Sequence, residues 1–488
     1  MNRRTELILV VALIILGAAF RVWLLVSAPN MFSSEAESYS KLHLYLQWKN
    51  SPLLYPDTNF GPFHMVLLDL PNRLTGSRVL ANRIVALAFG ILALPLAFSI
   101  TRKEFGSAAG LGTLAFLSLA ALPVKVSAVT LAEGPTLFFL LLGMWLLQTM
   151  LESPKTRWSY FLLSAACFAA MSALRFETWL FLPLIALWVL IKRGWRDGFL
   201  YGVLLVIFPL VHIGVAWSKI DSPLNFLLIS AQISSIHSSL APLQERAFGF
   251  PKALAYTGTP LLPLLGVIGI VFAFIKRQGV LPALLVAPLL ALYEYKAIQA
   301  TLAPELFRYL TVPTGLLALL IAAAPAALLT RTARRKNQTF AAVVMMLVAL
   351  GMGLWSAKTV FTEKRLLSPN LPVFEMIKQF RKEIGPGDRI FLGMDHHPTI
   401  VLESGLDWGN FKIPEYPDNI SASPESIRTL FEQWQPTVVL VHATDTVFVK
   451  TFAMNDPCGP SHDFFGRNYC KKGSYTNWCW YRLCGNEP

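Results

Sequence analysis

Long apolar runs separated by short basic turns fill the first three quarters of the chain. Runs of that length with few internal charges predict bilayer-crossing helices. The pattern places about eleven, near residues 7–27, 78–100, 107–126, 129–150, 158–174, 178–191, 198–218, 258–275, 280–296, 309–329 and 339–357. The sixth is short and carries Pro183; dropping it together with the fifth leaves the orientation of the others unchanged. Beyond Trp355 the pattern changes. Leu371, Val373, Phe374, Ile377 and Phe380 share one helix face, and Asp388–Met394 and Thr437–His442 read as buried strands. Between them Ser423-Pro424-Glu425 is a helix start, with a capping hydroxyl, a proline in the first turn and an acid near the positive end of the dipole.

Composition points the same way. With 54% hydrophobic and 15% charged residues over 488, the chain suits a polytopic α-helical membrane protein rather than an ordinary globular enzyme. A net charge of +13 raises the question of nucleic acid, which the placement of the charge answers. With the N-terminus cytoplasmic, the inner segments Met1–Glu6, Thr101–Gly106, Leu151–Arg157, Lys192–Gly198, Lys276–Gly279 and Arg331–Gln338 hold 15 Lys/Arg against 4 Asp/Glu. That is the positive-inside asymmetry, so the basic excess belongs to the membrane and no nucleic-acid partner is expected. The first apolar run is long and lacks a small-residue cleavage site, which predicts an uncleaved anchor. Short inner loops point to a plasma membrane. Residues 1–357 thus form a transmembrane domain with a first outer loop at 28–77. Residues 358–488 carry 14 Lys/Arg and 15 Asp/Glu, globular values, and form a soluble extracytoplasmic α/β domain. It lacks a glycine-rich phosphate loop.

The first outer loop holds the most unusual chemistry. Glu35 and Glu37 stand against the membrane surface, followed by Tyr39, Leu42, Leu44, Tyr45, Leu46 and Trp48, which fit an interfacial helix. Arg21, Arg78, Arg83, Lys125, Glu133, Arg175, Glu177, Glu294, Lys296 and Arg308 all fall toward the extracytoplasmic ends of their helices. Any one of them is explained by snorkelling or a structural ion pair. As a one-sided set of both signs, they predict a polar cavity opening outward.

These residues resemble a known family. Arg21, the acidic FSSEAESY, FGPFHMVLLDLPNRLTG (Phe60–Gly76), LAEGPTLFFLLLG at the fourth span, LRFETWLFLP (Leu174–Pro183) and ELFRYLTVP (Glu305–Pro313) look like the family 39 branch of GT-C glycosyltransferases. That branch is related to protein O-mannosyltransferases and to aminoarabinose transferases of lipid A. The resemblance spans roughly residues 10–320 and is carried by the order of the motifs. It implies transfer of a sugar from a polyprenyl-phosphate donor to an acceptor protein, lipid or glycan at the extracytoplasmic face, normally with inversion, and a catalytic acid in the first outer loop. Where the family usually has Asp, this chain has Ser33-Ser34-Glu35-Ala36-Glu37, so both Glu35 and Glu37 are candidates.

The residue types fit such chemistry. A carboxylate takes the proton of the attacking hydroxyl, and positive charge stabilises the departing phosphate. Glu35 or Glu37 can do the first; Arg308, Arg175 or a divalent metal can do the second. Arg308 can equally pair with Glu305 or Glu294. Glu133 is placed to orient the acceptor or help hold a metal, or else to pair with Lys125. His64, after Gly61-Pro62, is a hydrogen-bonded scaffold residue or, with Glu133, orients the acceptor or a metal, and His237 is scaffold or a substrate contact. Asp395-His396-His397 reads as a polar turn rather than a metal site. Cys458, Cys470, Cys479 and Cys484 predict two disulfides with three pairings open, and Cys167 is a core residue. Two rival readings stand beside the enzyme. A transporter or flippase would show internal repeats and midplane charges, and no clear repeat is present. An inactive membrane scaffold would fit the missing family Asp.

Overall fold

The computed structural model describes residues 2–27, 35, 38, 42, 61–75, 79–152, 158–220, 246, 248–299, 308–332, 338–362, 371–393, 397–413, 424–443 and 446–485. The chain divides into two compact units, Met1–Pro29 with Tyr45–Leu367, and Asn30–Leu44 with Ser368–Pro488.

The described residues of the first unit are mainly helical. Its helices are α1 (Arg3–Ser27), α2 (Pro62–Thr75), α3 (Leu80–Phe105), α4 (Ser107–Leu119), α5 (Ala121–Ala128), α6 (Glu133–Glu152), α7 (Trp158–Leu174) and α8 (Phe181–Arg193). They are followed by α9 (Trp195–Ile220), α10 (Gly249–Thr257), α11 (Leu261–Lys276), α12 (Val280–Gln299), α13 (Thr311–Ile321), α14 (Ala323–Thr332) and α15 (Gln338–Thr362). Each of the eleven predicted segments contains a helix. Among the described residues six helical segments are long and apolar enough to cross a membrane alone, and eight if each of two bent pairs counts as one span. The bent pairs are α4 with α5, at 55°, and α10 with α11, at 111°. The segment Arg308–Ala327 is the most enclosed, with 89% of its apolar window buried, whereas α1 presents Leu7, Ile8, Ile15 and Val26 outward. Apolar side chains exposed in this way are what a lipid-facing helix requires.

Charges at one set of helix ends tie the bundle together. Arg102 pairs with the buried Glu6 at 2.5 Å, joining the start of α1 to the end of α3. Lys103 pairs with Glu152, and Glu104 accepts from Gln148 Nε2 and from the Gly279 N–H, each at 2.7 Å, joining α6 and the turn before α12. Glu133 lies at the other end of α6, about 30 Å away at 1.5 Å per residue. The two groups of charges therefore occupy opposite ends of that helix.

The second unit contains α16 (Leu371–Phe380), β1 (Ile390–Leu392), α17 (His397–Ser404), β2 (Phe411–Lys412), α18 (Pro424–Trp434), β3 (Val438–His442), α19 (Thr446–Thr451), β4 (Ser461–Phe464), β5 (Arg467–Tyr475) and β6 (Trp478–Leu483). The sheet order is β2-β1-β3-β6-β5-β4, parallel from β2 to β3 and antiparallel thereafter. Alternation along the strands feeds two cores. Ile390, Leu392, Val438 and Leu440 meet Val373, Met376, Ile377 and Phe380 on one face. Phe391, Val439 and Val441 meet Ile427, Phe431 and Phe452 on the other. The predicted strands and the Pro424 helix start are present. The antiparallel half of the sheet was not foreseen. Its disulfides are Cys458–Cys479 and Cys470–Cys484, which select one of the three pairings, and Cys167 is a buried free thiol.

The start of β1 is pinned to the C-terminal strand by a buried carboxylate. Asp388 accepts from Arg482 Nη1 and Nη2 at 2.9 Å each, from the Gly385 N–H at 2.8 Å and from Thr437 Oγ1 at 2.9 Å. Burial raises its pKa, but the guanidinium, the amide and the hydroxyl outweigh burial and hold the carboxyl below the usual range. A carboxylate depressed in the folded state contributes stability that is complete above its unfolded pKa, about 4, and is lost as pH falls through the lower folded value. Asp388→Asn should therefore lower the melting temperature at neutral pH, and its deficit relative to the wild type should shrink on acidification below about pH 4. Thermal unfolding across that pH range checks this; a deficit independent of pH would contradict the assigned ionisation.

Candidate functional site

Three breaks in regular structure bring charge to one point. Glu133 opens α6, where an acid is stabilised by the N-terminal dipole. Arg175 follows α7 in extended conformation, φ −144° and ψ 121°, and leads into a 3-10 turn (Phe176–Leu180) that carries Glu177. Arg308 and Tyr309 form a helical turn immediately before α13. The end of α7 is also fixed from the side, because the Gly61 N–H donates to the Leu174 carbonyl at 3.1 Å.

Glu133 Oε1 accepts from Arg175 Nη1 at 2.9 Å, and Arg308 Nε stands 3.6 Å from the same oxygen. Arg175 Nε donates to Glu177 Oε1 at 2.8 Å, and its Nη2 reaches that oxygen as well. The Tyr309 ring lies under both guanidiniums, 4.5 Å from Arg175 Cζ and 5.2 Å from Arg308 Cζ. Glu133, Arg175 and Arg308 are 2%, 6% and 7% exposed. Charges removed from water to that degree are sustained only by mutual pairing and hydrogen bonds. Two carboxylates and two guanidiniums balance. One acceptor is left over: Glu133 Oε2 is buried and receives no hydrogen bond from any described residue.

A cavity opens beside the cluster, lined by Glu133, Thr136, Arg175, Glu177, Tyr293 and Tyr309 among others. The Tyr293 ring, on α12, stacks on Phe250 of α10 with centroids 5.4 Å apart and planes 4° from parallel. The next residue, Glu294, accepts the backbone N–H groups of Phe248 and Phe250 at 2.7 and 3.1 Å, capping α10. Sequence reasoning did not single out Tyr293 or Tyr309, although Tyr309 adjoins Arg308 in the ELFRYLTVP motif.

The predicted site residues divide as follows. Glu133, Arg175 and Arg308 come together. The partners of Glu133 are these two arginines rather than Lys125, and Glu294 caps a helix instead of pairing with Arg308. Arg21 bonds to main-chain carbonyls and Ser127 and does not line this cavity. His64 is buried in the first turn of α2, whose preceding Gly61 is bound to α7. Glu35 is helical and fully buried. Glu37, His237, Glu305, Asp395 and His396 lie outside the described residues. Among the described residues no group of three His, Cys, Asp or Glu side chains is placed to hold a metal ion, and the two carboxylates here are engaged by Arg175.

The helical bundle, the buried charge cluster at the start of α6 and the small C-terminal sheet define a polytopic membrane protein of the GT-C fold. ArnT from Cupriavidus metallidurans in the apo state superposes with a TM-score of 0.64 at 12% identity, over 98% of each chain. The same protein bound to undecaprenyl phosphate gives 0.63 at 13% identity, over 100% of each chain. The apo oligosaccharyltransferase of Archaeoglobus fulgidus gives 0.56 at 11% identity, over 91% of this chain and 70% of that one. At these identities the likeness is one of fold. The sequence family described as dolichyl-phosphate-mannose-protein mannosyltransferase matches residues 59–217. No curated protein matches in sequence.

Proposed function

We propose that this chain is a membrane glycosyltransferase that takes a sugar from a polyprenyl-phosphate donor and places it on an acceptor hydroxyl at the extracytoplasmic face with inversion. The observation that carries the reading is the buried Glu133–Arg175–Arg308 cluster at a cavity within a GT-C fold. The match to the mannosyltransferase family over 59–217 supports it, as does the undecaprenyl phosphate bound by the ArnT of similar fold.

In this reading Glu35 or Glu37 accepts the proton of the acceptor hydroxyl as its oxygen attacks the anomeric carbon. The bond from that carbon to the phosphate oxygen breaks on the opposite side, so a single displacement inverts configuration. The polyprenyl phosphate departs carrying the bonding electron pair, and Arg308 stabilises that charge. Arg175 is already engaged by Glu133 and Glu177, which suits a buttress better than a second phosphate ligand. Glu133 Oε2 is available to accept a hydrogen bond from a hydroxyl of the substrate.

Arg308→Lys tests the phosphate role. A lysine keeps the charge toward Glu133 but loses the planar two-pronged grip of guanidinium on phosphate. The variant should bind undecaprenyl phosphate about tenfold or more weakly, the scale of one lost charge-assisted hydrogen bond, while its melting temperature changes little. Unchanged lipid-phosphate affinity, or a stability loss as large as the affinity loss, would assign Arg308 to structure.

A further inference from the structure

A buried cation in the helical unit stands apart from both end clusters. Arg21 of α1 is 1% exposed, and no carboxylate pairs with it among the described residues. It donates to four neutral acceptors. Nε reaches Ser127 Oγ at 3.2 Å, Nη1 the carbonyls of Gly17 at 3.0 Å and Ser118 at 3.2 Å, and Nη2 the carbonyl of Leu117 at 3.1 Å.

The Leu117 and Ser118 carbonyls are ones that a helix break leaves without donors. Between α4 and α5 stands Ala120, at φ −59° and ψ 124°, and the two helices meet at 55°. In an unbroken helix the carbonyls of Leu117, Ser118 and Leu119 would accept from residues 121, 122 and 123. Here the Ala121 N–H turns to Ser356 Oγ at 3.0 Å, and residue 123 is proline, which has no N–H. In the interior of a membrane no water stands in for the missing donors. Arg21 does so for two carbonyls at once, which its fork of N–H groups allows.

The neighbouring packing is built around this arrangement. A Cβ at Gly17 would come within 2.8 Å of Leu94 Cδ1 and 3.0 Å of Ser118 Oγ, and one at Gly90 would overlap Ser127 Oγ. Ser118 Oγ also bonds to the Leu13 carbonyl at 3.0 Å, a second tie between α1 and the break. Downstream, Gly134 sits where a Cβ would lie 2.9 Å from the Val126 carbonyl, so the first turn of α6 rests directly on α5. The direction of α5 therefore sets where Glu133 enters the charge cluster.

We propose that Arg21 is a positioning residue: by supplying the donors that the α4–α5 break removes, it fixes the bend that delivers Glu133 to Arg175 and Arg308. Only the last step, from Glu133 to the substrate, rests on the proposed function.

The test compares Arg21→Gln, Arg21→Lys and Arg21→Gln combined with Pro123→Ala in the full-length purified protein. Amide hydrogen exchange, thermal stability and binding of undecaprenyl phosphate are measured. Both single variants should exchange about tenfold faster across residues 117–136 than the wild type, with smaller changes elsewhere, as expected when a buried charged donor is lost. They should also bind undecaprenyl phosphate about tenfold more weakly, because Glu133 no longer meets Arg308 correctly. Lysine does not rescue, since one ammonium cannot span Ser127 Oγ and the two freed carbonyls. Pro123→Ala returns a donor to the Leu119 carbonyl and lets the helix close across the break. Added to Arg21→Gln, it should recover thermal stability while affinity stays low, a split that a purely structural role would not produce. Unchanged exchange over 117–136 in both Arg21→Gln and Arg21→Lys would overturn the proposal, as would recovery of affinity together with stability in the combined variant. Failure of the wild type to take up undecaprenyl phosphate would instead overturn the proposed function, and the exchange data would still decide whether Arg21 holds the bend.

Discussion

Glu35→Gln is expected to lower sugar transfer by about 10²–10⁴-fold, the range for losing a positioned general base. The substitution keeps side-chain shape and removes the ability to accept a proton. Glu35 is helical and fully buried, a place a carboxylate keeps only where partners offset its desolvation. Glu37→Gln should have the smaller effect. Turnover, donor affinity and melting temperature should be measured together, because a base makes its contribution in the transition state and its loss falls on kcat. Near-native turnover in Glu35→Gln would move the role to Glu37. Near-native turnover in both single variants and in the double variant would remove this acidic segment from the chemistry.

The second large effect concerns Glu133. It is the common partner of both arginines, so Glu133→Ala leaves Arg308 without that counter-charge and Arg175 with Glu177 alone. Removing one member of a buried pair costs about 3–5 kcal/mol, mostly because the other charge stays behind. A loss of that size should appear as a clear drop in thermal stability, accompanied by weaker binding of undecaprenyl phosphate. Combining Glu133→Ala with Arg308→Met removes the stranded charge along with its partner and leaves the Arg175–Glu177 pair intact. It should recover much of the stability without recovering affinity, since the guanidinium that grips the phosphate is gone. A Glu133→Ala protein as stable as the wild type would show that the three side chains are not paired in the membrane.

What could be read from the residues beforehand follows a physical line. Apolar runs announce themselves one segment at a time, and all eleven predicted segments contain helices. The breaks inside them are quieter. Residues 107–126 read as one span because Ala120 is apolar like its neighbours, and only Pro123 hinted at the bend whose cost Arg21 and Ser356 offset. The same holds at Ala322, where the predicted span 309–329 divides into α13 and α14. Charged residues were recognised individually, but their partners were not. Lys125 is nearer Glu133 in sequence than Arg175 or Arg308, yet the pairs that form are 42 residues apart or more. Arg21 was grouped with the outward cavity because burial and sign alone do not distinguish a cavity charge from one that serves broken main chain. In the C-terminal unit, the continuous apolar runs of β1 and β3 were legible. The strands β5 and β6 were not, because their alternating polar residues and cysteines read first as a disulfide segment. Register brings Cys470 beside the end of β6 and so decides the pairing.

The most direct test of a lipid-phosphate glycosyltransferase is native mass spectrometry of the full-length protein released gently from the membrane. The account predicts an adduct with the mass of a polyprenyl phosphate or its sugar-linked form, retained through mild activation and strongly reduced in Arg308→Lys. A wild-type protein that carries no such lipid and takes up none when undecaprenyl phosphate is added would contradict it.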